Sequence, residues 1–419
     1  MNQICSKLFT SNTLYVLINI YVSAMGFIRS IVFMKNLNMS DLGIISLVQT
    51  VMLFLGLFQI GLLNGGYRIF ALNKTEQQTE INNLLFSYII LLSGIAFIFW
   101  GILVITKTTL TMSNDIMLLA LICGILTLTQ NWLTNTLIAK RLIKDINKIN
   151  IISSTIALIS LPLVWIWGVF GAISVLFAQP FLFIALTLIK RKELRPSSWN
   201  FNLKLIRYVL SFGFIPFLSG ICTIIILQIE RWSIADILGT AALGEFYLVF
   251  LYTTLFSLIP TSILNLFFPK SVYSYETGNL YEFKRILKLH LLLLTIYLIS
   301  ATVLTLWLLQ PVVDLILPKH SANTIYVYYF LPGAISQVLC HSFSLISAAT
   351  VRLRPYLITG FSSIVMMIIF IIGAVKLNMF TLINIAIAKS IIESFIFLYY
   401  VGYVCIHRKA IFLQINIPH

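Results

Sequence analysis

The chain has 419 residues, of which 59% are apolar and 10% charged, and its mean hydropathy is +0.99. Soluble domains carry roughly a quarter charged residues, so this composition excludes an ordinary soluble protein and a separate globular catalytic module. The net charge of +15 comes from basic residues scattered between apolar runs, a placement that indicates membrane topology and no nucleic-acid partner.

Stretches without charged residues predict twelve membrane-spanning helices, because a helix needs about 20 apolar residues to cross the hydrocarbon. One stretch, 149–189, is long enough for two helices, and its WIWGVFG segment at 165–171 predicts the reversal between them. The stretches are 8–28, 42–67, 81–106, 116–139, 149–189, 208–229, 246–269, 289–313, 320–351, 355–375 and 377–407, the last of which is interrupted by Lys389 and Glu393.

The basic residues predict the orientation of these spans. With the N-terminus in the cytoplasm, 21 of the 28 Lys and Arg residues fall on the cytoplasmic side and four on the other, while three lie in or beside spans. Such an excess is the positive-inside signal. We therefore expect a multi-pass protein with both termini in the cytoplasm.

The sequence repeats itself at an offset of 201 residues. The segment FIRSIVFMKNLNMSDLGIISLV returns as QIERWSIADILGTAALGEFYLV, with six identical pairs. The pairs are Ile28/Ile229, Leu37/Leu238, Leu42/Leu243, Gly43/Gly244, Leu47/Leu248 and Val48/Val249, followed by Leu63-Asn64/Leu264-Asn265. The repeat predicts an N-terminal six-helix lobe at 1–200 and a C-terminal six-helix lobe at 201–419, with spans 11 and 12 at 355–407.

Because each half has an even number of spans, both halves begin on the same side of the membrane and the repeat is parallel. The expected fold is therefore all-α, with twelve transmembrane helices in two parallel six-helix repeats around a central cavity, where such transporters bind their substrates. Between spans 1 and 2, and again between spans 7 and 8, the sequence predicts a short interfacial helix that ends at Gly43 or Gly244.

Charged residues inside spans are the candidate site, because a charge in hydrocarbon is costly and usually faces a cavity or a partner. Arg29 lies in span 1, and Glu230 with Arg231 holds the equivalent place in span 7. Arg29 and Glu230 could form an ion pair across the repeat axis, or the arginines could bind an anionic substrate with their planar forks.

Two further residues come from the GLLNGGYR segment at the end of span 2. Arg68 is either a topology anchor or a substrate contact at the cytoplasmic mouth. Asn64 is a candidate lining residue because it recurs as Asn265. Gly61 and Gly65 form a GxxxG pattern, which favours close helix packing.

Lys389 and Glu393 lie one turn apart in span 12, where they either neutralise each other or couple transport to an ion such as H⁺ or Na⁺. The histidines and cysteines show no metal-ligand spacing, and the sequence has neither a phosphate-binding glycine loop nor a hydrolytic triad pattern. We therefore expect no catalytic residue, no metal and no cofactor.

Taken together, LNMSDLG, GLLNGGYR, FGFIPFLSG (212–220), LGTAALGEFYLV and LFFPKS (266–271) resemble the O-antigen flippase (Wzx) family. This family is a polysaccharide branch of the multidrug/oligosaccharidyl-lipid/polysaccharide flippase superfamily, and the resemblance covers about residues 1–405. It implies carriage of an undecaprenyl-diphosphate-linked oligosaccharide, for lipopolysaccharide biosynthesis, from the cytoplasmic to the periplasmic leaflet of the bacterial inner membrane.

The resemblance also implies a diphosphate or anionic-sugar role for Arg29, Arg68 and Arg231, and membrane lipids, a polymerase and chain-length proteins as partners. A multidrug or cation antiporter of the same superfamily is an alternative, although its cavity would favour acidic residues. An O-antigen polymerase is a second alternative, but we would expect it to have a large periplasmic loop.

Overall fold

The computed structural model describes residues 2–71, 75–108, 111–350, 354–408 and 411. The side chains at 2–17, 68, 71, 75–77, 212, 215, 216, 219, 269, 344 and 348 lie outside this description. The described chain is helical throughout, with short turns and no strand. The helices are α1 Asn2–Asn36, α2 Met39–Leu55, α3 Leu62–Ala71, α4 Thr75–Ile105, α5 Asn114–Ala139, α6 Ile143–Ile159, α7 Leu163–Lys190, α8 Leu203–Ile237, α9 Thr240–Glu276, α10 Leu280–Ile316, α11 Thr324–Thr350, α12 Arg354–Lys376 and α13 Leu382–Ile406.

These helices account for the twelve predicted spans, because α2 and α3 together occupy the second. Ten segments of the described chain are each long and apolar enough to cross a membrane. The 17-residue α6 and the 35-residue α8 occupy the remaining two positions. The predicted all-α polytopic architecture is therefore confirmed.

The predicted reversal in 149–189 lies earlier than expected. Helix α6 ends at Ile159, and the chain turns at Ser160–Pro162 before α7 begins. The segment 165–171 is inside α7, where Gly168 interrupts the helical geometry with φ 53° and ψ −122°. A proline at the turn, which cannot continue the hydrogen-bond ladder of α6, explains the earlier break.

The second span is broken in the middle. After Leu55 the chain forms a 3₁₀ turn at Gly56–Gln59, and Ile60 and Gly61 then adopt positive φ angles of 49° and 88°. The Tyr88 hydroxyl donates a hydrogen bond to the carbonyl of Phe58 in this turn. A backbone break at membrane depth requires such a partner, because lipid offers none.

The predicted interfacial helices ending at Gly43 and Gly244 are not present. Helix α2 begins directly after Asn38, whose side chain accepts a hydrogen bond from the Asp41 amide, and it continues through Gly43. Gly244 likewise lies within α9, which begins at Thr240. At Gly43 the prediction was wrong because the N-cap Asn38 starts the membrane helix itself.

By its contacts the chain divides into two compact units, Met1–Gly244 and Glu245–His419. The core of the first unit surrounds Trp132, which is fully buried and stacks edge-to-face on Phe70. Within this unit α8 packs closely on α3. The predicted lobe boundary at 200/201 concerns the sequence repeat, and it stays a prediction.

In the second unit α11 packs extensively on α13. Gly333 permits this approach, because a Cβ there would lie 2.6 Å from the Cα of Ser390. Helices in lipid approach most closely where one of them carries glycine. The neighbouring residue Lys389 is thereby fixed against α11.

Candidate functional site

Arg231 lies inside the first unit, on α8, with 8% of its surface exposed. Its Nη1 donates to the Thr50 hydroxyl at 3.1 Å and lies 3.4 Å from the Ser46 carbonyl oxygen. Gln228, one turn earlier, donates from Nε2 to the Thr50 carbonyl at 3.1 Å. These bonds connect α8 to the middle of α2 and fix the position of the guanidinium.

The other two charges predicted for this place occupy the same unit. Glu230 is 1% exposed, so α8 carries two adjacent ionisable residues away from solvent. Arg29 is half-buried on α1, and its Nη1 lies 3.4 Å from the Gln179 Oε1 on α7. Since buried charges inside spans usually serve a polar pathway or a partner, these three residues are the strongest candidate site residues of the first unit.

Asn64 and Arg68 both lie on α3, the second helix of the broken span. Asn64 is half-buried, whereas its sequence counterpart Asn265 is exposed. The Arg68 side chain lies outside the described residues. The two residues are one turn apart along the backbone of this helix.

The GxxxG pattern makes the close helix packing that the sequence predicts, and its partner is α8. Gly61 directly precedes α3, and Gly65 lies within it. A Cβ at Gly61 would lie 2.6 Å from the Gly213 carbonyl oxygen, and a Cβ at Gly65 would lie 2.0 Å from that of Val209. Gly213 on α8 contributes to the same contact, because its own Cβ would lie 1.9 Å from the Gly61 carbonyl oxygen. This glycine seam positions Asn64 beside α8.

Lys389 lies inside the second unit on α13, with 8% of its surface exposed. Its Nζ lies 5.3 Å from the ring centre of Phe250 and 5.1 Å from that of Phe330. An ammonium over two ring faces is attracted by the ring quadrupoles. Glu393 is half-buried one turn further along the same helix.

Sequence reasoning missed the neutral polar residues that hold these charges. Gln179, Gln228 and Thr50 lie within stretches that were selected for the absence of charge, so the selection passed over them. The available signal was a glutamine inside an apolar stretch close to a charged residue, as Gln228 is to Arg231.

Ahead of the predicted stretch 149–189, Asp145 in the first turn of α6 forms an ion-pair cluster with the C-terminal end of α7. Its Oδ1 lies 2.6 Å from Lys190 Nζ, and its Oδ2 accepts from Arg191 Nε at 2.8 Å and from Arg191 Nη2. The hydrogen bond from Lys190 and the bond from Arg191 hold the pKa of Asp145 below its ordinary value. The cluster joins the two loop segments richest in basic residues, 140–148 and 190–207, which contributed most to the predicted orientation.

No group of three or more potential metal ligands occurs among the residues that the structure describes. The candidate residues are thus charged and amide groups on membrane helices. They can bind a polar group by hydrogen bonds and charge, and they offer no nucleophile–base arrangement.

No protein-family model and no curated protein matches this sequence. Solved structures do match. An inward-facing multidrug-resistance MATE transporter of the MOP superfamily aligns over 94% of this chain and 98% of its own, with TM-score 0.69 and 12% identity. The lipid II flippase MurJ, in an inward closed conformation, aligns over 94% of this chain and 87% of its own, with TM-score 0.66 and 16% identity.

A MATE transporter from Vibrio cholerae aligns over 99% of both chains, with TM-score 0.65 and 11% identity. At these identities the likeness establishes the fold. The chain has the two-repeat, all-helical fold of MOP-superfamily transporters, and these structural neighbours are transporters and flippases, not enzymes.

Proposed function

We propose that this protein is a flippase for an undecaprenyl-diphosphate-linked oligosaccharide, such as an O-antigen repeat unit. The observation that carries the proposal is the guanidinium of Arg231, fixed by α2 inside a membrane span beside the buried Glu230. The fold is shared with a lipid II flippase, and the sequence motifs resemble the Wzx family.

The chemistry of the substrate requires such residues. A sugar diphosphate cannot cross hydrocarbon unaided, because its polar groups would lose their hydrogen bonds to water. Arginine offers several N–H donors in a planar fork, which matches two phosphate oxygens at once. A path with fixed arginines replaces the lost water while the lipid tail stays in the bilayer.

We assign diphosphate or sugar contacts to Arg29, Arg231, Arg68 and Asn64. Glu230 and the Lys389–Glu393 turn are assigned to coupling, with H⁺ or Na⁺ as the ion. The chain has no ATP-binding motif, so the energy comes from an ion gradient or from the substrate's own gradient.

The same proposal places the protein in a bacterial inner membrane with both ends in the cytoplasm. The 21-to-4 distribution of basic residues supports this orientation. A cytoplasmic reporter fused after His419 is expected to be active and a periplasmic reporter silent. Activity of the periplasmic reporter there would reverse the assignment.

A multidrug or cation antiporter is the second candidate, because MATE transporters are among the structural neighbours. The charges inside the spans favour the flippase, because an antiporter cavity would favour acidic residues and here the basic ones outnumber them. Three are basic (Arg29, Arg231 and Lys389) and two are acidic (Glu230 and Glu393). A polymerase is disfavoured because the connections on the predicted outer side are short. The longest of them joins α4 to α5.

The proposal is tested with purified protein in liposomes that carry a polyprenyl-diphosphate oligosaccharide with a fluorescent sugar. Transport makes sugars on the inner leaflet accessible to a quencher that cannot cross the membrane. Wild type is expected to transport the lipid, whereas Arg231→Gln and Arg29→Gln are expected to lose at least tenfold in rate, about the effect of one charged hydrogen bond.

Arg285→Gln is the matched control, because Arg285 is largely exposed on α10 and pairs only loosely with Glu282 at 3.5 Å. It is expected to transport at the wild-type rate. Uptake of an aromatic cation such as ethidium without transport of the lipid would replace the flippase assignment by the antiporter.

A further inference from the structure

The segment 191–202, which connects α7 to α8, carries exposed aromatic rings. Trp199 has 62% of its surface exposed and Phe201 39%, and the two rings stack with their centres 6.4 Å apart. Leu203, the first residue of α8, is 76% exposed. Large apolar side chains that gather at the surface mark a place where a protein contacts another molecule.

Buried polar residues of α4 hold this segment in a fixed position. The Asn83 Oδ1 accepts a hydrogen bond from the Ser197 amide at 2.9 Å, and its Nδ2 donates to the Ser197 hydroxyl at 3.1 Å. The Ser87 hydroxyl oxygen accepts from the Asn200 amide at 3.0 Å. Asn83 and Ser87 are both buried. Trp199 lies between the two fixed residues, so its ring is presented at a defined place.

The same hydrogen bonds indicate how deep the segment lies. Ser87 belongs to the uncharged stretch 81–106, within a helix segment long and apolar enough to cross a membrane. It follows the first residue of that stretch by about 9 Å, at about 1.5 Å per residue. Irregular backbone at such a level needs partners from the protein, and the side chains of α4 supply them. This is the level at which amphipathic elements meet the boundary between headgroups and acyl chains, and at which tryptophan is enriched.

The first turns of α8 add positive charge beside the rings. Lys204 and Arg207 are both exposed and three residues apart, so their side chains are neighbours on the helix surface, while Ile206 packs against the core. No acidic residue occurs between Glu193 and Glu230 in the sequence. Within the described chain, neither cation has a salt-bridge partner. An anion from outside the chain is the counter-ion that this pair fits.

We propose that this exposed surface binds an anionic phospholipid of the surrounding bilayer. The aromatic–basic surface consists of Trp199, Phe201, Leu203, Lys204 and Arg207. The two cations contact the lipid phosphate, which the arginine fork can hold with two hydrogen bonds, and the rings lie against the glycerol and the first acyl carbons. Each basic residue near the membrane surface favours an anionic lipid about fivefold. The lipid is a resident of the bilayer and not the cargo, so the assignment is independent of the function proposed above.

The test measures how brominated lipids quench Trp199 fluorescence in nanodiscs that contain the purified full-length protein. Because the chain has seven tryptophans, the Trp199 signal is taken as the difference between wild type and Trp199→Phe. The nanodiscs contain brominated phosphatidylglycerol or brominated phosphatidylcholine in a background of ordinary phosphatidylcholine. The brominated phosphatidylglycerol is expected to reach half-maximal quenching at a mole fraction roughly tenfold lower or more, from the two cations together.

Charge variants separate the phosphate contact from the contact with the rings. Lys204→Gln and Arg207→Gln are each expected to reduce the preference for phosphatidylglycerol about fivefold, and the double variant to bring it near one. Quenching by phosphatidylcholine is expected to remain, because the rings are unchanged. Lys107→Gln is the matched control, since Lys107 is exposed and follows the opposite end of α4. It is expected to keep the full preference.

Equal quenching of Trp199 by the two brominated lipids in wild type would overturn the proposal, because it would show that charge selects nothing. Quenching by acrylamide from the water, with none from either lipid, would also overturn it and leave a surface for a soluble partner. Displacement of the phosphatidylglycerol by a polyprenyl-diphosphate oligosaccharide at a far lower mole fraction would assign the surface to the cargo in place of a resident lipid.

Discussion

Gly43 and Gly244, which are 201 positions apart, make the same contact with each other's helix start. A Cβ at Gly43 would lie 1.8 Å from the carbonyl oxygen of Thr240, and a Cβ at Gly244 would lie 1.8 Å from that of Met39. Thr240 is itself 201 positions after Met39, so the contact is reciprocal. Two-fold symmetry produces reciprocal contacts of this kind, here between the two copies of an internal repeat.

The reciprocal contact predicts that Gly43→Ala and Gly244→Ala destabilise the protein by similar amounts. Either methyl group would overlap a backbone carbonyl that cannot move without displacing a helix. Such overpacking costs about 1–3 kcal/mol, which corresponds to a fall of roughly 2–4 °C in Tm per kcal/mol. The measurement is thermal unfolding of the purified protein in detergent.

Gly101→Ala is the matched control, because a Cβ at that helical position meets nothing within 4 Å. It is expected to leave Tm unchanged or to raise it slightly, since alanine favours helix more than glycine does. An unchanged Tm for Gly43→Ala alone, with Gly244→Ala strongly destabilised, would contradict the equivalence of the two contacts.

The spans and the GxxxG contact could be predicted from sequence because they depend on local composition. Hydrocarbon thickness fixes the length of an apolar stretch, and the small residues Gly61 and Gly65 mark a close approach whatever their partner. The partner itself, Gly213 on α8, could not be predicted. That choice depends on the packing of helices far apart in sequence.

The local errors have a physical cause. Gly43 and Gly244 suggested helix ends because glycine is common there, but it is equally required where two helices touch.

For the site, the charged residues could be found from the cost of charge in lipid. Their supports, Thr50 for Arg231 and the two rings for Lys389, could not, because neutral side chains in spans carry no such cost.

The Asp145 cluster predicts a dependence of stability on pH. The pKa of Asp145 is lowered in the folded protein, first by the hydrogen bond from Lys190. Its contribution is therefore complete above the unfolded value of about 4, and it is lost as the pH falls through the lower folded value. The measurement is the difference in Tm between wild type and Asp145→Asn.

Between pH 5 and 8 this difference is expected to be constant, with the variant a few degrees less stable, and below about pH 4 it is expected to shrink. Glu193→Gln is the control, since its carboxylate is half exposed and lies 3.5 Å from Arg191. A difference in Tm that grows as the pH falls would show that the negative charge of Asp145 does not stabilise the folded protein.

Charge reversal at Arg29 separates substrate binding from an internal ion pair. Arg29→Glu is expected to abolish transport of the lipid-linked oligosaccharide without changing protein level, and Arg29→Lys to retain part of it, because an ammonium keeps the charge but loses the fork. A variant at Arg29 is easier to interpret than one at Arg231, because the Arg231 guanidinium also connects α8 to α2. The measurement is the liposome assay described above.

The double variant Arg29→Glu with Glu230→Arg completes the cycle. If Arg29 serves only as a partner of Glu230, the exchange restores the pair and transport returns. The flippase proposal expects little rescue, because the positive charge has moved to another helix. Full rescue would remove Arg29 from the substrate residues and leave the fold unaffected.

Lys389 offers the most direct test of the coupling assignment, because stability and function are expected to respond differently. Replacing buried charges by apolar or neutral groups of similar size is often neutral or stabilising, provided that no charge is left without its partner. The variant Lys389→Met with Glu393→Gln removes both charges and keeps the unbranched side chain between Phe250 and Phe330. We expect it to fold with a Tm within a few degrees of wild type and to lose its response to an imposed pH or Na⁺ gradient.

Lys389→Arg keeps the charge over both rings and is expected to retain a measurable response. If the charge-free variant still transports at the wild-type rate and responds to the gradient, Lys389 and Glu393 serve packing alone, and coupling must be sought at Glu230.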